Sequence, residues 1–225
     1  MTKLAELVQA FSVFSACWAF IAGIDAWKRE FIGKRRIEVA EATLEKFYAV
    51  IDAIAYMRNA FSHTGEGKTR QRAPHEREEE SELLDRGYII YERYDQKKEV
   101  FAEFFTSKYR FMACFGKESE ELFNRTNQTV NKIFGAARVL STHYWPRQGR
   151  PHRTEEEFQK HLDQMFKYEA IFLDGYSEDD VIRKELSEVL EIFEKIIAPC
   201  FQEKTTFYHA LTSNIKNWLA RKKSV

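Results

Sequence analysis

Between Glu6 and Asp25 the chain reads LVQAFSVFSACWAFIAGI, eighteen residues from Leu7 to Ile24 without a charge. A helix needs roughly 17–25 predominantly apolar residues to cross the hydrocarbon core of a bilayer, so this run is a span near the short end of that range. Gln9, Ser12 and Ser15 lower its hydropathy, while Trp27 stands just past its end, where interfacial aromatics settle. The next residues, WKREFIGKRR, concentrate Lys28, Arg29, Lys34, Arg35 and Arg36 on the C-terminal flank, against Lys3 and the amino terminus on the other side. By the positive-inside rule the N-terminus is outside and everything after Trp27 is cytoplasmic. The first expected partner is therefore the lipid bilayer. Residues 1–26 form a single-pass anchor in the inner (plasma) membrane, and residues 27–225 form a cytoplasmic body.

A cleaved signal peptide wants its positive charge before the apolar run, and here the charge follows it. A lipoprotein signal at Phe14-Ser15-Ala16-Cys17 fails because the apolar stretch before Cys17 is too short and continues beyond it. The alternative left standing is a soluble bundle with a buried first helix, since the run is short and carries small polar residues.

The chain has 35 Lys+Arg against 35 Asp+Glu, and a net charge of zero argues against a protein that coats nucleic acid. With 15% aromatic residues, 9 Gly and 4 Pro, it is neither low-complexity nor wholly disordered. Cys17, Cys114 and Cys200 are too widely spaced for a disulfide framework or a zinc site.

No stretch alternates with a period of two, whereas helical spacing recurs throughout. From Trp27 to His63, the positions Ile37, Ala40, Leu44, Phe47, Ile51, Ile54, Arg58 and Phe61 alternate steps of three and four. That is the seam of a helix packed lengthwise on a neighbour, and it favours self-association as a homodimer. A second long helix is expected from near Arg77 to Phe115, closed by Gly116. A third is expected from about Glu118 to Trp145, stopped by Pro146. Thr154 caps a fourth that Gly175 closes, and Ser177-Glu178-Asp179-Asp180 starts a fifth that ends at Pro199. A last amphipathic piece spans Phe207 to Leu219. The expected fold class is all-α: an N-terminal transmembrane helix continuing into a long up-and-down bundle.

In that order the loops TGEGKTRQRAPHER and PRQGRPHR both fall at the end of the bundle far from the membrane. They bring Lys68, Arg70, Arg72, Arg147, Arg150 and Arg153 together as candidate anion-binding residues. The competing expectation is that Glu76, Glu78, Glu79, Glu80 and Glu82 neutralise them. Gly65-Glu66-Gly67-Lys68-Thr69 is not a Walker loop, because Ser62 stands where a glycine is required and a helix leads in rather than a strand.

Arg58-Asn59-Ala60-Phe61-Ser62-His63 combines a guanidinium at a seam position with a histidine near the helix end. An Arg that holds a phosphate and a His that moves a proton suit RNA cleavage without metal. The spacing resembles the RN-x3-H motif of HEPN-type ribonucleases. That resemblance covers six residues and implies a site of Arg58, Asn59 and His63, shared across a dimer and acting on RNA. The bland reading is Arg58 paired across the bundle, for instance to a Glu of the second helix, with His63 in a loop. As a whole, the chain resembles bacterial single-pass, membrane-anchored helical proteins of uncharacterised activity. The reading that follows is a protein-interaction or scaffolding module with an unknown protein partner, no firm catalytic residue, no metal and no cofactor. The membrane-tethered ribonuclease is the alternative.

Overall fold

The computed structural model describes residues 2–148, 154–175 and 179–201, with side chains from Glu6 onward. Five α-helices account for most of these residues, and no strand is present among them. Helix α1 runs Thr2–Met57 as one uninterrupted element of 56 residues. The anchor and the first bundle helix are therefore one rod, about 84 Å long at 1.5 Å per residue.

The seam residues explain how α1 enters the bundle. Ala40, Phe47, Ile54 and Arg58 are buried, with Val39, Thr43, Val50, Ala53 and Met57 beside them on the same face. Burial starts at Val39. The expected end at His63 is corrected to Met57. Phe61 keeps the phase of the seam, yet it is 88% exposed because the backbone has already left the helix.

Helix α2, Glu78–Phe115, opens on Glu78, Glu79 and Glu80, where the positive end of the helix dipole favours acids. It returns antiparallel to α1, with Tyr56 Oη donating to Gln96 at one end and Arg36 donating to the Cys114 carbonyl at the other. Gly116, at φ 92°, makes the left-handed turn that closes α2, and its N–H bonds the Met112 carbonyl. After a short 3-10 turn, Lys117–Ser119, helix α3 (Glu120–Val139) runs back outward.

The third element is shorter than expected. Past Val139 the helix widens into a π turn, Leu140–Tyr144, and then tightens into a 3-10 turn, Trp145–Arg147. Pro146 has no N–H to give the Thr142 carbonyl, and its ring would press on that carbonyl in a regular α-helix. At the π turn, Ser141 lies against Gly87 of α2 so closely that a Cβ on Gly87 would come within 2.6 Å of the Ser141 Cβ.

Thr154 caps α4 (Glu155–Phe172) through its hydroxyl, which accepts from Glu157 N at 3.1 Å. Tyr144 and Trp145 pack on Tyr168 and Phe172 of α4, and Gly175 follows at φ 70°. Helix α5 begins at Val181. Its cap is Asp180, whose Oδ1 accepts from Ile182 N and Arg183 N. Of the expected start, Ser177 and Glu178 lie outside the described residues. Pro199 does not end α5, which continues to Phe201, and the piece from Phe207 to Leu219 lies outside the described residues.

The bundled half of α1 with α2, α3 and α5 makes an up-down-up-down four-helix core, and α4 packs at its outer end. Rings tie the four together. Phe47 of α1 meets Phe104 of α2 at 5.6 Å and Phe193 of α5 at 6.2 Å, and Phe104 meets Phe123 of α3 at 4.8 Å. All four are fully buried, and aromatic contacts of this kind add about 0.5–1.5 kcal/mol each beyond the area they bury.

Candidate functional site

Two regions carry residues singled out by the sequence: the outer tip of the bundle and the projecting half of α1. At the tip, the loop after α1, the start of α2, the end of α3 and the end of α4 converge.

Arg58 is 1% exposed and points across the bundle. Its Nη1 and Nη2 donate to the two carboxylate oxygens of Asp180 at 3.1 and 2.9 Å. Nε donates to the Ile171 carbonyl at 2.8 Å, and Nη2 also reaches the carbonyls of Ala170 and Leu173 at 2.9 Å each. The partner expected for Arg58, a Glu of the second helix, is thus replaced by the capping aspartate of α5 together with the last carbonyls of α4. Those carbonyls have no partner within their own helix and carry its negative dipole end, so a buried guanidinium satisfies both needs. Burial pushes the Asp180 carboxyl up, but the Arg58 guanidinium and the two backbone N–H groups outweigh it and hold the pKa below the usual range.

His63 stands elsewhere, with a 77% exposed side chain whose Nδ1 is 3.5 Å from Glu66 Oε2. Asn59 uses its Oδ1 to accept from Phe61 N at 2.9 Å. The cavity beside Arg58 is walled by Ile54, Arg183 and Leu186, whereas Asn59 lines a different cavity; His63 lines neither. The motif's three residues are neighbours in sequence that face three different surroundings.

Arg93 is a residue that the sequence reading missed. Only 3% exposed, it pairs with Glu66 through Nη2 at 2.7 Å and Nε at 3.1 Å. It also donates to the carbonyls of Asn59 at 2.6 Å and Phe61 at 2.7 Å, closing off the end of α1. The Arg93 hydrogen bonds hold the Glu66 carboxyl below the usual range. A signal existed: Arg93 falls three residues after buried Ile90 and eight before buried Phe101, a charged residue on an apolar face, as Arg58 is.

In the Gly65–Thr69 loop the backbone donors of Glu66, Gly67, Lys68 and Thr69 are occupied by its own protein. Gly67 N and Thr69 N donate to the Glu92 carboxylate at 2.6 and 3.0 Å, and the Thr69 hydroxyl bonds it as well. Gly67, at φ 83°, lies so close to α2 that a Cβ would come within 2.0 Å of the Asp85 carbonyl oxygen.

Two of the basic tip residues are likewise engaged. Arg70 holds Glu76 through Nη1 and Nη2 at 2.8 and 2.6 Å, and reaches Asp85 through Nε at 2.9 Å. Arg72 bonds the other Asp85 oxygen at 2.6 Å and approaches Glu78 at 3.4 Å. Arg70 drives the Glu76 carboxyl far below its ordinary pKa. Arg147 leans on the His143 ring, and Lys68 is exposed without an ion pair to any described residue. Arg150 and Arg153 lie outside the described residues.

The other region is the projecting half of α1. Within it, the apolar stretch long enough to cross a membrane has none of its residues buried. Phe11, Phe14, Trp18 and Phe20 are each 69–73% exposed. The basic flank after it is partly tied down: Lys34 pairs with Glu30, Arg35 with Glu38, and Arg36 bonds the Cys114 carbonyl through two nitrogens.

No protein-family model matches this chain, and no curated protein or solved structure does either.

Proposed function

We propose that this chain is a single-pass membrane protein whose helical body is held beside the inner leaflet and works through contacts with other proteins; the α1 seam expected to pair two copies is instead buried against α2 and α5 of the same chain. The observation that carries this reading is the wholly uncovered apolar half of α1, continuous with a bundle whose own core is complete without it. Exposed rings in such number need an apolar surrounding, and lipid supplies one along the whole circumference of a helix. Leu7 to Ile24 spans about 27 Å, close to the thickness of the hydrocarbon core. Lys28, Arg29, Lys34, Arg35 and Arg36 then favour the cytoplasmic side for the body.

The interior burial of α1 that a soluble alternative requires finds no support in the fold. Nothing at the tip favours the ribonuclease either, because Arg58 has its donors occupied by Asp180 and three carbonyls. No residue is assigned a catalytic role.

Alkaline carbonate extraction of cells expressing the full chain tests the anchor: the protein is expected in the membrane pellet, and recovery in the supernatant refutes it. A cysteine added at the N-terminus should react with a membrane-impermeant maleimide on intact cells lacking an outer membrane, while Cys200 does not. RNA degradation by the purified protein that His63→Ala abolishes would reinstate the enzyme.

A further inference from the structure

A cavity of about 270 Å³ opens at the tip between the loop after α1, the first half of α2 and the end of α4. Its polar wall is Asn59, Ser62, Arg86 and Arg93, and it has no acidic residue in its lining. Its apolar wall includes Ile89, Ile90, Phe172 and Leu173. The larger cleft between α3 and α5 differs in that its Lys132 and Arg125 are already paired with Glu185 and Glu188.

Arg93 is paired with Glu66, whereas Arg86 is exposed and has no ion pair among the described residues. Its guanidinium lies 4.4 Å from the centre of the Trp145 ring and makes no hydrogen bond or ion pair with a described residue. Trp145 is itself fixed, 5% exposed, with Nε1 donating to Glu169 at 2.8 Å. A guanidinium steadied over an aromatic face keeps its N–H edge for an oxyanion and loses less freedom on binding one. The Ser62 hydroxyl and the Asn59 side-chain amide, neither of which has an acceptor among the described residues, stand in the same lining.

We infer that this cavity binds a small molecule carrying one oxyanion, a carboxylate or a phosphate monoester, on a compact apolar body. Arg86 takes the oxyanion in a forked contact, Ser62 and Asn59 add neutral donors, and the body lies against Ile90 and Phe172. The site is independent of the membrane reading.

The test is calorimetric titration of the full-length protein in zwitterionic nanodiscs with phenyl phosphate, benzoate and inorganic phosphate. Saturable binding of phenyl phosphate or benzoate is expected, and whichever is tighter identifies the oxyanion. Inorganic phosphate, lacking the apolar body, should bind at least about tenfold more weakly. Arg86→Gln should weaken the better probe by about tenfold or more, and Ser62→Ala, on an exposed loop that does not hold the fold, by about threefold. No saturable heat from any of the three, or unchanged affinity in a folded Arg86→Gln protein, overturns the site. If Arg86→Gln fails to fold, unchanged affinity in Ser62→Ala overturns it instead.

Discussion

Removing the Arg58 guanidinium would leave Asp180 charged in the interior and strip donors from the carbonyls of Ala170, Ile171 and Leu173. Breaking a buried pair from one side costs about 3–5 kcal/mol, at the upper end of what single substitutions do. Arg58→Met is therefore expected to lose that much in denaturant unfolding, and a loss under about 1 kcal/mol would mean the network holds little. The carboxylates set the acid limit. Asp180, Glu66 and Glu76 all have folded pKa values below their unfolded ones, so each contributes stability above the ordinary carboxyl range and loses it as pH falls through the folded value. The melting temperature should be level above about pH 5 and fall below about pH 4, less steeply in Asp180→Asn. A melting temperature unchanged down to pH 3 would contradict it. Among the described residues arginine serves three times as the cap of a helix end: Arg36 on α2, Arg58 on α4 and Arg93 on α1.

At the scale of elements, α1 joins two environments through one backbone. The three-four seam marks the packed face of its second half only in part: residues 40, 47, 54 and 58 are buried, but 37, 44 and 51 are half-buried, because that face is turned toward Thr43, Val50 and Met57. The same seam says nothing of where the helix stops, since side-chain periodicity continues through Phe61 after the hydrogen-bond ladder has ended. The stop is made from outside, by Arg93 drawing the Asn59 and Phe61 carbonyls to α2. Spin labels at residues 8 and 34 in nanodiscs should stand about 39 Å apart along an unbroken helix, before allowance for the label arms. A distribution centred well below that would place a kink near Gly23 or Gly33. Pro146 was legible as a stop, but the π turn before it at Leu140–Tyr144, where Ser141 lies close against Gly87, was not.

For the whole molecule, the projecting segment and the bundle are separable in energy, because the core draws on nothing before Val39. A chain beginning at residue 28 is expected to stay in solution and melt within about 2 °C of the full protein in detergent. A marked loss of stability would show that the first half of α1 contributes to the fold.

The one-dimensional pattern by itself determined the uncharged run, the helical class, one edge of the face that α1 buries and the turns at Gly116, Thr154 and Gly175, because hydropathy periods and caps are local properties. Only the tertiary structure decided the partner of Arg58, the loss of Arg70 and Arg72 to Glu76 and Asp85, the separation of Arg58 from His63 and the opening of the cavity at Arg86. Two of these rest on groups brought together from distant stretches: Arg58 and Asp180 are 122 residues apart in sequence, and the cavity at Arg86 joins Asn59 and Ser62 to Phe172 and Leu173. A charge on an apolar face announces that some counterpart must exist, but the packing of whole helices chooses which one.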